Sequence, residues 1–304
     1  MFPPWRNLRS RGLVGIEASP EGIAIAQVAN GKEGSRLVRC EYISREAVDS
    51  LDHVLPERVQ ALRLGRLPCN WVLTNSNYTL LLVEAPKVPP EEMREAMRWR
   101  IKDLISFPVE QATLDIFALP DDGTRGKQML YVVVAERQCI QNTLDTARSA
   151  KITLKSIDIA ELALRNIAEL VSPDQRGLAI VRLRQGAGNV ALIRQGKLYL
   201  SRQFDLKYNA GLLDDLPEEA LVLELQRSLD YYERQMGQGP PAHILFCGDN
   251  VSADKIGEGI RASLPGEVSC LNLRRVLPGA EQCDEHLLQL CLGAIGGALR
   301  REAA

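Results

Sequence analysis

Three short segments carry residue types from which a phosphate or nucleotide cleft is built. Ala18-Ser19-Pro20-Glu21-Gly22 and Gln185-Gly186-Ala187-Gly188 are small, polar turns. Turns of this kind present backbone N–H groups that can cradle a phosphate. Gly248-Asp249-Asn250 follows an apolar run, where a base and ribose could lie. The candidate nucleotide residues are therefore Glu17, Ala18, Ser19, Gln185, Gly186, Gly188, Gly248, Asp249 and Asn250. Arg227, on a helix further along, joins the set. Small hairpin turns also occur where no ligand binds, so both readings stand at this point.

Phosphoryl transfer needs carboxylates as well, to hold a metal or to act as base. Asp158 and Glu161 lie just past a strand end and are the candidates. A solvated or helix-capping role is the plainer reading of both. The familiar catalytic signatures are absent: no GxxxxGK[ST], no HExxH, no GxSxG and no zinc-spaced Cys/His set. His53, His243 and His286 are far apart in sequence. Gly186 to Ala191 matches GxGxxA, but a strand and not a helix follows, so it is no dinucleotide fingerprint. No catalytic residue and no metal ligand is assigned.

The elements that must position these residues come twice. Leu13 to Ile16, Ile23 to Val28 and the run from Leu37 read as three strands joined by Ser19-Pro20-Glu21-Gly22 and Asn30-Gly31. Gly177 to Leu183, Val190 to Arg194 and Lys197 to Phe204 repeat that order, with turns at 185–188 and Gln195-Gly196. Two such meanders facing each other would form a cleft with the first turn of each pointing in. Between them, Pro90-Glu91-Glu92 opens a helix, with proline and acids in its first turn. Met93, Met97, Ile101 and Leu104 share one side of that helix. Thr113–Phe117 and 129–135 read as strands around Asp121-Asp122-Gly123. Pro217 to Met236 is a long helix with Leu221, Leu225, Leu229 and Tyr232 on one face. Glu281 to Leu299 is expected to close the chain as an apolar-faced helix. Ser172-Pro173-Asp174 is the expected boundary between the halves.

Composition narrows the function classes. The chain has 304 residues, 45% hydrophobic and 25% charged, which suits one large or two ordinary globular domains. The net charge is −2, so no global basic field exists to hold nucleic acid. No apolar run reaches the roughly 18 residues that span a bilayer. The first residues lack the apolar core of a signal peptide. The seven cysteines are odd in number and without CxxC spacing, which suits reduced thiols in the cytoplasm. Residues 1–12 form a basic arm with Arg6, Arg9 and Arg11, read either as a frayed tail or as a docking segment.

Several of these segments resemble the PilM family of type IV pilus assembly proteins. PEEMREAMRWRIKDLISFPVEQATLD, Pro90 to Asp115, is similar to a helix of that family in which an Arg-Trp pair precedes a Phe-Pro stop. GLVGIEASPEGIAIAQV, Gly12 to Val28, resembles its first phosphate hairpin. LELQRSLDYYERQ and LCLGAIGGALR resemble its long second-half helix and its closing segment. Within the family the similarity points to the branch serving mannose-sensitive haemagglutinin (MSHA) pili.

The resemblance implies an α/β protein of actin-like ATPase fold, with two ribonuclease-H-like halves and an inserted small α+β subdomain. The halves would span 13–172, with the insertion at about 86–155, and 173–304. It implies a cytoplasmic scaffold at the inner face of the inner membrane. The partner would be the N-terminal cytoplasmic peptide of a PilN-like bitopic membrane protein, with pilus motor components as further contacts. Trp99, Arg100 and Phe107 are the candidate anchors, or else simply pack the subdomain. ATP without a strong magnesium site is the one cofactor left open.

The sequence departs from the family where metal chemistry would sit. Glu17-Ala18-Ser19 and Arg182-Leu183-Arg184 stand where the family usually has Asp-x-Gly. Cys247-Gly248-Asp249-Asn250 stands for its adenosine-side glycine pair. An arginine cannot hold Mg²⁺, although Arg182 or Arg184 could meet phosphate directly. Hydrolysis is therefore expected to be absent. The alternative is an active actin-like ATPase or a sugar-kinase-related enzyme built on Asp158 and Glu161.

Overall fold

The computed structural model describes residues 12–31, 34–47, 51–123, 126–171 and 176–301. The basic arm and the expected Ser172-Pro173-Asp174 boundary lie outside the described residues, and so does the side chain of His53.

The first part of the chain runs β1 (Gly12–Ser19), β2 (Gly22–Gly31), β3 (Gly34–Ser44), α1 (Leu51–Ala61), β4 (Pro68–Leu73), β5 (Thr79–Glu84), α2 (Met93–Ile101), β6 (Ala112–Ala118), β7 (Met129–Glu136), α3 (Arg137–Ser149), β8 (Thr153–Ile159) and α4 (Ala160–Val171). The second runs β9 (Leu178–Arg184), β10 (Ala187–Arg194), β11 (Lys197–Asp205), α5 (Glu218–Arg234), β12 (His243–Gly248), α6 (Glu258–Ser263), β13 (Glu267–Cys270), α7 (Leu273–Val276), α8 (Glu285–Leu290) and α9 (Leu292–Ala298).

The two large sheets have one topology. Their orders are β3-β2-β1-β4-β8 and β11-β10-β9-β12-β13. In each, an antiparallel meander supplies three strands and two parallel strands follow. The turns fix the register. Ser19 pairs with Gly22 around Pro20-Glu21, and Arg184 pairs with Ala187 around Gln185-Gly186. Gly186 has φ +74°, which glycine adopts without strain. The repeated element order is thus a repeated fold.

Amphipathic patterning places the core. Leu221, Leu225, Leu229 and Tyr232 bury one face of α5, as their spacing requires. Glu218 and Glu219 suit the positive N-terminal end of that helix. On α4, Ala163, Leu164, Ile167 and Ala168 are buried against the core.

The small sheet has the order β5-β7-β6. It begins at Thr79, ahead of the expected insertion at 86, because β5 pairs with β7 along its whole length. β8, placed inside the expected insertion up to 155, pairs with β4 in the first large sheet. Met97 and Ile101 of α2 are buried under the small sheet, whereas Leu104 is exposed. The small sheet also leans on the second half. Tyr131 donates its hydroxyl to the Tyr199 carbonyl at 3.0 Å, and Tyr199 donates to Asp122 Oδ1 at 2.8 Å.

The closing segment corrects an expectation. In place of one apolar-faced helix over 281–299 there are two short ones, α8 and α9, and every residue of α9 is buried. Asp284 caps α8, accepting from the backbone N–H of His286 at 2.9 Å and Leu287 at 3.3 Å. α9 packs on β1, β2, β4 and α4 of the first half. Close approach is possible because the facing residues are glycines. A Cβ on Gly15 would overlap the Ala294 carbonyl, and one on Gly296 would overlap the Ala163 carbonyl. Among the described residues no helix is long and apolar enough to cross a membrane.

Candidate functional site

The twin meanders leave a cleft of about 850 Å³ between them. The Ser19–Gly22 turn lines it from one half and the Gln185–Gly188 segment from the other. Thr74, Asn75 and Ser76, just past the end of β4, complete the first side, and Asp249 and Asn250, just past β12, complete the second.

The floor is an ion pair between the halves. Glu17 and Arg182 each stand two residues before the strand end of their twin turn, so equivalent positions carry opposite charges. Glu17 is 3% exposed and Arg182 is 6% exposed. Arg182 donates Nη1 to Oε1 and Nη2 to Oε2 of Glu17, both at 3.2 Å. This is the bidentate geometry that suits guanidinium and carboxylate. Arg184 adds a bond from Nη2 to Oε2, again at 3.2 Å. Burial alone would push the Glu17 carboxyl up. The charges of Arg182 and Arg184 and their hydrogen bonds outweigh it and hold Glu17 below its ordinary value. Gly293 backs the pair, since a Cβ there would run into the Glu17 carboxylate.

These residues do not fit a magnesium–nucleotide group. A metal at Glu17 would have to displace two guanidinium groups from the same carboxylate. One of them, Arg182, stands at the equivalent position on β9, so the second half offers a cation there in place of an oxygen ligand. Among the described residues no three His, Cys, Asp or Glu side chains group to hold a metal ion.

The other carboxylates are engaged in internal contacts. Asp158 accepts from Arg300 Nη1 at 2.7 Å and from Asn70 Nδ2 at 3.3 Å. Glu161 is buried and accepts from the Tyr78 hydroxyl, and more weakly from Ser201 Oγ at 3.4 Å. Burial holds its carboxyl above the ordinary value, with the hydrogen bonds opposing. Neither Asp158 nor Glu161 lines the cleft.

Of the candidates, Glu17, Ser19, Gln185, Gly188, Asp249 and Asn250 line the cleft. Ala18, Gly186, Gly248 and Arg227 do not. Strand alternation explains Ala18: Glu17 and Ser19 face the cleft, so Ala18 turns to the apolar core behind. Gly248, at φ +117°, is required by the close pass of Leu183, and its N–H donates to Gln289 Oε1 at 3.0 Å. Arg227 lies on the exposed side of α5 and pairs with Glu224 at 2.6 Å. Arg182 and Arg184, either of which the sequence left able to meet a phosphate, line the cleft and are bonded to Glu17. The sequence showed the two charges at matched turns but not their pairing, which joins residues 165 apart in the chain.

Trp99, Arg100 and Phe107 do not share one environment. Trp99 is 66% exposed, with Lys102 Nζ 5.9 Å from its ring centre. Arg100 is exposed beside it. Phe107 is half-buried against the core of the small sheet.

The arrangement has solved counterparts. A structure of a PilM–PilN type IV pilus biogenesis complex contains a chain that superposes with a TM-score of 0.71 at 17% identity, over 95% of this chain and 98% of that one. A Bacteroides thetaiotaomicron protein of actin-like ATPase fold superposes at 0.54 and 10% identity, over 93% and 100% of the two chains. The cytoplasmic domain of EpsL, an inner-membrane component of the Vibrio cholerae type II secretion system, superposes at 0.54 and 14% identity, over 91% and 97%. No protein-family model and no curated protein sequence matches the chain. With its doubled sheet topology and the cleft between, the chain has the actin-like ATPase fold.

Proposed function

We propose that this chain is a non-catalytic docking scaffold of a type IV pilus assembly machine, at the cytoplasmic face of the inner membrane. The observation that carries the reading is the likeness to the chain of the PilM–PilN complex, which runs over nearly the whole of both chains. The partner is then a PilN-like membrane protein that offers its N-terminal cytoplasmic peptide. The MSHA-type assignment rests on the segment from Arg98 to Glu110 and is the finer part of the proposal. Exposed Trp99 and Arg100 are the anchors for that peptide, as an aromatic ring and a guanidinium outside the core. Phe107 supports them from within.

The cleft chemistry supports the absence of turnover. With Glu17 neutralised by two arginines, little remains to anchor a metal or to balance charge on a leaving phosphate. Asp158 and Glu161 are committed to Arg300 and Tyr78.

The test is calorimetric titration with the N-terminal cytoplasmic peptide of a PilN-like membrane protein. Binding to the wild type is expected. Trp99→Ala should weaken it about tenfold or more, the loss of ~1.4 kcal/mol or greater usual for an aromatic anchor. Unchanged binding in that variant would move the groove elsewhere, and no binding to the wild type would remove the proposed partner.

A further inference from the structure

A second cavity, of about 620 Å³, lies at the end of the first half away from the cleft. It sits where β4 and β8 begin, between the C-terminal ends of α1 and α3. Pro56, Val59 and Ala150 give it an apolar floor. Arg63, Arg66 and Lys151 give it a rim, and all three are exposed. No carboxylate among the described residues lines it. Neighbouring cations are neutralised: Arg58 pairs with Glu41, and Arg148 pairs with Asp145 at 2.7 Å. No ion pair among the described residues holds Arg63, Arg66 or Lys151. Glu57, exposed on α1, is not part of the lining.

The rim is built on two helix ends of one kind. The Leu64 N–H donates to the Val59 carbonyl at 3.0 Å, and the Ile152 N–H donates to the Ala147 carbonyl at 2.9 Å. Each bond closes a turn around a left-handed residue, a place usually held by glycine because a side chain disfavours that conformation. Arg63, at φ +56°, and Lys151, at φ +55°, hold these two places. A helix C-terminus favours a cation nearby. Arg66 lies beyond either turn, however, and the three charges together ring one apolar floor. Such a surface is complementary to an anionic amphiphile.

The chain enters the fold at the same end. β1 runs parallel to β4 with Val14 opposite Cys69, so Gly12 stands level with Leu67, next to Arg66. Residues 1–11 lead in there and lie outside the described residues. Their sequence holds Arg6, Arg9 and Arg11 with Phe2 and Trp5, and no acid. Aromatic residues among unopposed cations suit the interface of an anionic bilayer. We propose that this end of the first half binds an anionic phospholipid surface, with a headgroup phosphate seated among Arg63, Arg66 and Lys151 above the apolar floor. The contact is made by the chain itself and goes beyond attachment through a membrane partner. It rests on these charges and not on the pilus reading.

Co-sedimentation of the purified chain with vesicles tests it. Vesicles of phosphatidylglycerol mixed with phosphatidylcholine should carry the chain down, and vesicles of phosphatidylcholine alone should not. Binding should weaken several-fold when salt rises from about 0.1 to about 0.5 M. Arg63→Gly/Lys151→Gly places glycine where the backbone favours it, so the fold should hold, which a thermal melt checks. Its binding should fall by roughly fivefold for each basic residue removed, and that of Arg66→Gln by roughly fivefold. Titration of the PilN-like peptide should be unchanged in both variants, so the two readings fail separately. No pelleting with the anionic vesicles, equal pelleting with the neutral ones, or wild-type binding in both rim variants would each overturn the proposal. So would equally strong retention by duplex DNA, which would make the rim a general polyanion surface. Full release by millimolar glycerol phosphate would overturn it too, since the ligand would then be a free phosphate and not a bilayer.

Discussion

At the residue scale, the decisive feature is a carboxylate that spends its charge on protein. Removing Arg182 would leave Glu17 buried with only Arg184, which is partly solvated. Breaking one side of a buried pair costs roughly 3–5 kcal/mol. Arg182→Ala should therefore lose about that much in chemical denaturation. The double variant Glu17→Leu/Arg182→Met should lose clearly less, because an apolar pair leaves no stranded charge. Equal losses would mean that the pair is incidental. The pair also predicts a pH response. Glu17 has an ordinary value of 4.5 and a lower one in the folded chain. Its ionised form is thus favoured by folding. The stability it contributes is present above the unfolded value and is lost as pH falls through the folded one. Denaturation midpoints followed from pH 6 downward should fall less steeply in Glu17→Gln than in the wild type. What the sequence showed here was composition without pairing. Arg182 was legible as the wrong residue for a metal, but its bond to Glu17 is 165 residues away in the chain and only the closed fold brings it about.

At the element scale, α9 and β1 are held at a distance only glycine permits. Gly15→Ala would drive a methyl group into the Ala294 carbonyl, and Gly293→Ala would drive one into the Glu17 carboxylate. Overpacking a close-packed interior typically costs about 1–3 kcal/mol, and a backbone collision lies at the upper end. Both variants should melt several degrees below the wild type, and Gly293→Ala should also flatten the acid response of Glu17. A thermal melt indistinguishable from the wild type would show that the helix can move aside at little cost. The meander strands and α5 were legible, because alternation and helical spacing are local signals, as Leu221, Leu225 and Leu229 show. The burial of α9 was not. A helix covered on all sides carries no amphipathic stripe, so its run of Leu, Gly and Ala reads as merely apolar. The start of the small sheet was misplaced for a related reason. Thr79 to Glu84 announces a strand but not its partner, and the pairing with β7 spans some fifty residues.

At the scale of the whole molecule, the two halves have the actin-like fold and are bonded to each other at the floor of the cleft between them. The Glu17–Arg182 contact, the closing α9 and the Tyr131–Tyr199 bridge tie first half, second half and small sheet into one body. An exposed tryptophan on the helix of the small-sheet subdomain suits the docking role proposed above. That reading is tested most directly by following the thermal unfolding of the purified chain with and without millimolar Mg·ATP, with phosphate release measured on the same sample. The account predicts no rise in the unfolding temperature and no phosphate above the protein-free rate. A rise of several degrees together with turnover, both abolished in Glu17→Ala, would contradict it.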